Sequence, residues 1–280
     1  MKKLHFLATV AFVLLFSLSA GAATPKGHLV IVGGGGRTDK IGEAYVKYSG
    51  APEAAFLVIG TASDTPMETA EKFAESIKKL GAGETRCIAP THEECNDPEY
   101  VNKVMDGVGG VFFCGGKQSR IVNTMRGTLL HERLMKLYMD GGMISGSSAG
   151  AAMMSEKMLT GSRVDHSDEG FKDIAPDMVE IVEGMGFIKG AIIDQHFLKR
   201  SRENRLFSVA FDNPECVCIG IDEATALVVT KGREIEVIGR SSVMVIEPDP
   251  KSIRVDKNNN YSGKAKVRLL FEGDKFKLKR

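Results

Sequence analysis

Short apolar runs of four to six residues alternate along the first half of the chain with longer stretches of helical periodicity. HLVIV (28–32), FLVIG (56–60), ETRCIA (84–89), GVFFC (110–114) and GMIS (142–145) are the runs. PMETAEKFAESIKKL (66–80) and HERLMKLYMDGG (131–142) are two of the stretches between them. A strand apolar throughout is covered on both faces, and an intervening helix supplies the crossover that parallel pairing needs. The pattern predicts an α/β fold, a doubly wound, mostly parallel sheet. Past Met178 the rhythm changes. CVCIGIDEATALVV (216–229), REIEVIG (233–239) and SVMVIEP (242–248) follow closely, with a turn expected at Lys231–Gly232. They read as an antiparallel β extension of the same domain near the C-terminus. NNNYSGK (258–264) reads as a loop and VRLLFE (267–272) as a last strand.

Both ends of the chain stand apart from this pattern. Lys2 and Lys3 precede an apolar run from Phe6 to Leu18, and Ala20-Gly21-Ala22 offers a small-x-small cleavage site. Residues 1–22 therefore read as a secretory signal peptide, with an apolar core too short to span a bilayer comfortably. No cysteine follows the cleavage site, which argues against a lipid anchor. With no other long apolar segment, a soluble protein secreted or exported to the periplasm is expected, without a membrane span. Residues 23–250 are taken as one domain and 251–280 as a basic extension, with ten Lys/Arg against three Asp/Glu. That extension reads as a solvated face before it reads as a contact for an anionic partner. The net charge of +1 creates no field that would draw the protein to nucleic acid. Of five cysteines, Cys114, Cys216 and Cys218 lie in apolar runs and read as core. Cys87 with Cys95 is the one pair considered for a disulfide, and it stays open here. Their spacing and the lack of paired histidines argue against zinc. No metal or cofactor is expected.

Ligands of such sheets bind beyond the carboxyl ends of the strands, and four features fall there. GGGGR (33–37) fails the dinucleotide fingerprint, with Thr38 or Asp39 where the last glycine belongs, and reads as a tight turn. GGKQS (115–119) fails as a phosphate loop, because Val111 and Gln118 stand where glycine and Ser/Thr are required. Its glycine N–H groups could still stabilise an oxyanion. SGSSAGAA (145–152) places Gly146-x-Ser148-x-Gly150 between a strand and a helix. This is the form of a nucleophile elbow, with the helix dipole favouring a developing negative charge. GAIID (190–194) ends just before His196, and GIDEATA (220–226) offers Asp222 and Glu223. Serine, histidine and an acid are thus available in that order. Lys199, Arg200, Arg202 and Arg205 follow the histidine. The residues alone leave two readings of the arginines open: an exposed helix face, or forks for a carboxylate ligand.

Together GGKQ, GSSAGA, DQHF with Arg200-x-Arg202-x-x-Arg205, and GIDEATA make the chain resemble the cyanophycinases and the related aspartyl dipeptidases. The resemblance covers about residues 28 to 230. It implies a flavodoxin-like, class I glutamine-amidotransferase-like fold and a serine peptidase. Ser148 would be the nucleophile, His196 its base and Glu223 the orienting acid. Ala149 and one of Gly115–Gly116, with Gly116 favoured, would supply the oxyanion N–H groups. Gln118, Asp194, Arg200, Arg202 and Arg205 would shape the substrate site. The chain departs from the pattern at Lys117, where Asn or Asp is expected, and beyond Pro250. The expected activity is a secreted exopeptidase that releases β-Asp-Arg from multi-L-arginyl-poly-L-aspartate through an acyl-enzyme. The alternatives are an aspartyl dipeptidase for small Asp-X peptides and a non-catalytic carboxylate- or peptide-binding protein. The expected partner is an aspartate-rich peptide or polypeptide, and a homodimer is left open.

Overall fold

A computed structural model describes residues 23–167 and 170–279, so the signal-peptide expectation for residues 1–22 lies outside the described residues. Strand β1 (His28–Val32) leads to α1 (Asp39–Ser49), β2 (Ala55–Ile59), α2 (Pro66–Lys78) and β3 (Thr85–Ile88). Then come α3 (Pro98–Met105), β4 (Val108–Phe113), α4 (Gln118–Met125), α5 (Leu129–Asp140), β5 (Met143–Ser147) and α6 (Ala149–Ala152). A hairpin of β6 (Lys157–Arg163) and β7 (Val179–Glu183) precedes β8 (Ala191–Gln195), α7 (Glu203–Asp212), β9 (Val217–Ile221), β10 (Thr225–Thr230) and β11 (Glu234–Gly239). Last are β12 (Val243–Pro248), the two-residue β13 (Arg254–Val255) and β14 (Tyr261–Ser262), β15 (Ala265–Leu270) and β16 (Lys275–Lys277). Local chemistry sets the ends of α1: Thr38 caps it by accepting from Ile41 N–H, and Gly50 stops it in the left-handed conformation.

The main sheet has the order β16-β11-β10-β1-β5-β4-β2-β3. Its five earliest strands are parallel, and β10 and β11 extend it antiparallel from β1. Alternate residues of each strand face two separate cores, as the period of two requires. Leu29, Ile31, Leu57, Ile59, Val111 and Phe113 look one way; Val30, Val32, Phe56, Val58 and Phe112 look the other. The doubly wound, mostly parallel sheet expected from the sequence is therefore present. The Lys231–Gly232 turn is present too, with both residues at positive φ, as a tight hairpin demands.

The later strands differ from the sequence reading. GAIID does not join the main sheet. It forms β8 of a second sheet, ordered β15-β12-β9-β8. The run 216–229 is not continuous either: β9 belongs to the second sheet and β10 to the main one, and the chain crosses between them at Asp222–Ala224. Two acids cannot continue a strand buried on both faces, so the break falls where they stand. The loop expected at 258–264 contains β14. Residues 265–277 add a strand to each sheet, β15 beside β12 and β16 beside β11. Much of their positive charge meets acids of the fold, as in Lys275–Glu236, Lys277–Glu234 and Arg268–Glu247. All five cysteines are unpaired, Cys87 and Cys95 included.

Candidate active site

The carboxyl ends of β1, β4, β5, β8 and β9 converge. From β5 the chain turns sharply into α6 through Ser148, which sits at φ 56° and ψ −112°. Its N–H is tied to Val32 O of β1 at 3.0 Å. Only small neighbours permit the turn. A Cβ on Gly146 would lie 2.4 Å from Gly150 O, and one on Gly150 would lie 2.2 Å from Phe113 O. The G-x-S-x-G spacing is thus a steric requirement here. Since α6 is only four residues long, its macrodipole adds little. Stabilisation of an oxyanion would fall to individual N–H groups. Ala149 opens that helix, so its N–H has no partner within it. Gly115 flanks Ser148, with its Cβ position 3.4 Å from Ser148 Cβ. Gly116 instead packs its α-carbon on the Ala62–Ser63 peptide.

His196 follows β8 at φ 47°, and Ala224, directly after Glu223, is at φ 53°. Three non-glycine residues in the left-handed region thus lie within or beside one cluster. Each costs roughly 1–3 kcal/mol, a concentration of strain that such sites commonly show. The result is a continuous chain of hydrogen bonds. Ser148 Oγ lies 2.9 Å from His196 Nε2, and His196 Nδ1 lies 2.7 Å from Glu223 Oε1. With Nδ1–H donated to Glu223, Nε2 is left to accept the serine proton, which is the geometry of an activated nucleophile. Burial is the main cause that lowers the pKa of His196 below its ordinary 6.5; Glu223 opposes it, and the charges of Arg200 and Arg202 add to it. At Asp222, burial raises the pKa, but hydrogen bonds from Ser241 and from the N–H groups of Lys199, Glu223 and Leu198 prevail and keep it below its ordinary value.

The GGGGR loop is more than a turn. Gly34 sits at φ +117°, and a Cβ there would lie 2.3 Å from His196 Cε1. Gly33 O accepts from His196 N–H at 2.6 Å, and Gly34 O from Ala224 N–H at 2.9 Å. The glycine loop is the bed on which the imidazole and its carboxylate rest.

The expected substrate residues divide into three groups. Asp194 and Arg205 are 0% and 4% exposed, and Arg205 Nε and Nη2 grip both carboxylate oxygens at 2.7 and 2.5 Å. Their forks are used on each other, so they form the floor of the site. The exposed-face reading of Arg205 is thereby corrected: it lies on the buried side of α7, with two of its nitrogens on Asp194. Gln118 is also buried, donating from Nε2 to the carbonyls of Leu159 and Thr160. Arg202 is committed as well. It donates from Nη1 to the carbonyl and to Oε1 of Gln195, at 2.5 and 2.9 Å. Arg200 alone of the three arginines is exposed, and it makes no salt bridge among the described residues. Gln195 was not singled out in the sequence, yet its Oε1 is 3.4 Å from Ser148 Oγ. Its one signal was its place between Asp194 and His196.

A prediction separates floor from ligand contact. Removing Arg205 leaves the buried Asp194 carboxylate with only the Gln195 N–H at 2.7 Å and Arg202 at 3.6 Å, so Arg205→Ala should destabilise the fold by about 3 kcal/mol. Replacing both partners, Asp194→Leu with Arg205→Met, should recover most of that loss in thermal unfolding. An Arg205→Ala protein of parental melting temperature that had lost only activity would favour the substrate-contact reading.

Comparison with known proteins decides the family. The profile of peptidase family S51 matches residues 29–238, which holds all four motifs and every residue of the hydrogen-bonded chain. The chain belongs to peptidase family S51. It is therefore a peptidase, a hydrolase. The chain is also similar to curated cyanophycinases. A cyanophycinase of Trichormus variabilis is 29% identical over 81% of this chain and 75% of its own length. One of Geminocystis herdmanii is 30% identical over 76% and 78%, and one of Synechococcus elongatus is 26% identical over 91% and 80%. Among solved structures, a peptidase from an acI-B1 actinobacterium superposes with a TM-score of 0.68 at 22% identity, covering 91% of this chain and 98% of its own. A putative peptidase E from Listeria monocytogenes gives 0.54 at 13% identity, over 77% and 99%. At those identities the likeness speaks for the fold alone.

Proposed function

We propose that this S51 peptidase is a serine exopeptidase that cleaves the aspartyl peptide backbone of multi-L-arginyl-poly-L-aspartate and releases β-Asp-Arg dipeptides. The observation that carries the serine mechanism is the unbroken Ser148–His196–Glu223 hydrogen-bond chain at the elbow. As Ser148 Oγ attacks the scissile carbonyl, His196 Nε2 takes its proton and Glu223 stabilises the imidazolium through Nδ1–H. The carbonyl oxygen becomes an oxyanion held by the N–H of Ala149 and one from the Gly115–Gly116 pair, of which Gly115 flanks Ser148. On collapse the C–N bond breaks, His196 returns the proton to the leaving amine, and the acyl group stays on Ser148. Water, deprotonated by the same imidazole, then releases the acid. The polymer substrate is supported by the relatives named cyanophycinase and by Arg200, an exposed guanidinium close enough to His196 to influence it, suited to a substrate carboxylate. Export is part of the proposal and rests on residues 1–22.

The test is incubation of the purified mature protein with insoluble polymer, following soluble β-Asp-Arg by mass spectrometry. Release of the dipeptide is expected. Hydrolysis confined to small Asp-X peptides would move the reading to a dipeptidase, and failure of a fluorophosphonate to label Ser148 would sink the serine mechanism.

The acid side of the pH profile is a second expected result. A lowered pKa keeps His196 neutral to lower pH, so kcat/KM should fall only below the ordinary 6.5. Arg200→Gln removes one of the charges that lower it, and the limb should move up. A parental limb at about pH 7 or above would contradict the lowering, and a rate flat down to about pH 4 would exclude His196 as the base.

A further inference from the structure

The adjacent carboxylates of Asp222 and Glu223 go different ways. Glu223 reaches the imidazole of His196, while Asp222 reaches the chain that follows it. Asp222 Oδ1 accepts from Lys199 N–H at 2.9 Å, and Oδ2 accepts from the Ser241 hydroxyl at 2.7 Å. The segment so held is a single 3₁₀ turn, Leu198–Arg200, closed by Arg200 N–H to His196 O at 3.0 Å and ended by Ser201 at φ 49°. One such turn has little stability of its own, and its first N–H groups have no partners within it. The Asp222 carboxylate supplies an acceptor there. Arg200, at the end of this turn, is exposed and forms no ion pair among the described residues, so only the turn fixes where its guanidinium starts.

We propose that Asp222 is a positioning residue for substrate binding: through Lys199 N–H it sets the turn that presents Arg200 to a substrate carboxylate beside Ser148. This rests on the reading of Arg200 given above. Asp222 makes no hydrogen bond to the Ser148 hydroxyl or the His196 ring; its carboxylate meets the turn at the N–H groups of Lys199 and Leu198, and the triad at the backbone N–H of Glu223 alone. A residue that merely held β9 to the chain before β12 through Ser241 would affect stability, and would do so whatever stood at position 200.

A double-mutant cycle on the full mature chain distinguishes the two, with a soluble multi-L-arginyl-poly-L-aspartate oligomer as substrate. Asp222→Asn should raise KM about tenfold with kcat within about threefold, because binding is lost and the triad is kept. Arg200→Gln should cost about ten- to a hundredfold in kcat/KM, the loss typical of one charge-assisted contact. Adding Asp222→Asn to Arg200→Gln should then cost no more than about twofold, the limit within which coupled sites show no separate effect. Fluorophosphonate labelling of Ser148 should keep its parental rate in the Asp222→Asn protein. If Asp222→Asn fails to fold, Ser241→Ala removes one of the bonds that orient the same carboxylate, and its smaller rise in KM should likewise vanish beside Arg200→Gln. An equal loss from Asp222→Asn in both backgrounds, or a fall in labelling, would overturn the inference alone. An Arg200→Gln enzyme with parental KM would overturn the carboxylate role of Arg200 and the inference with it.

Discussion

Ser148→Ala should lower turnover by about four to six orders of magnitude, the range seen when a hydrolase loses its nucleophile and keeps its binding groups. The fold should survive. Alanine bears the same backbone strain as serine at φ 56°, and the N–H that ties the elbow to Val32 is unchanged. Glycine tolerates that conformation better, so Ser148→Gly should be equally inactive and melt no lower than the parent. Ser147→Ala should cost far less, since Ser147 ends β5 and its side chain makes no bond to the triad. Steady-state kinetics beside thermal unfolding checks the whole set. Comparable losses at 147 and 148 would remove Ser148 from the centre of the chemistry.

The second large effect is expected from a methyl group. Gly34→Ala puts a Cβ 2.3–2.7 Å from three atoms of the His196 ring, and does so at φ +117°. Ring or loop must move by about an ångström, and a displacement of that size costs on the order of a hundredfold in rate. Gly36→Ala is the control. It lies two residues away in the same loop, with nothing within 4 Å of its Cβ position, and should stay within about threefold of the parent. If both variants were equally active, the glycine loop would have no part in placing the imidazole.

How much of this was legible in the sequence depended on how local the cause is. The elbow could be read because its glycines clash with each other and with β4, over a few residues and one strand pairing. The parallel sheet could be read because burial on both faces leaves its mark on β1, β2, β4 and β5. Gly34 could not be read as part of the site, since its partner His196 lies far along the chain and glycine repeats suit any tight turn. Arg205 looked like a free cation because its burial depends on how α7 packs against the second sheet, which no periodicity reports. The run 216–229 concealed a change of sheet. Its two central acids were noticed for their chemistry, and their other meaning, that a strand must end there, was not drawn.

The pairing of β1 with β10 has a consequence for how the molecule comes into being. His28 meets Thr230 in register, across about two hundred residues of intervening chain. While that stretch is still being made, β1 can pair on one side only, with β5, and its other edge stays open. An apolar strand with bare N–H and C=O groups invites pairing with the wrong partner. Contacts this distant in sequence also form slowly. Efficient production should therefore depend on keeping incomplete chains dilute or escorted until β10 and β11 arrive to close that side of the sheet.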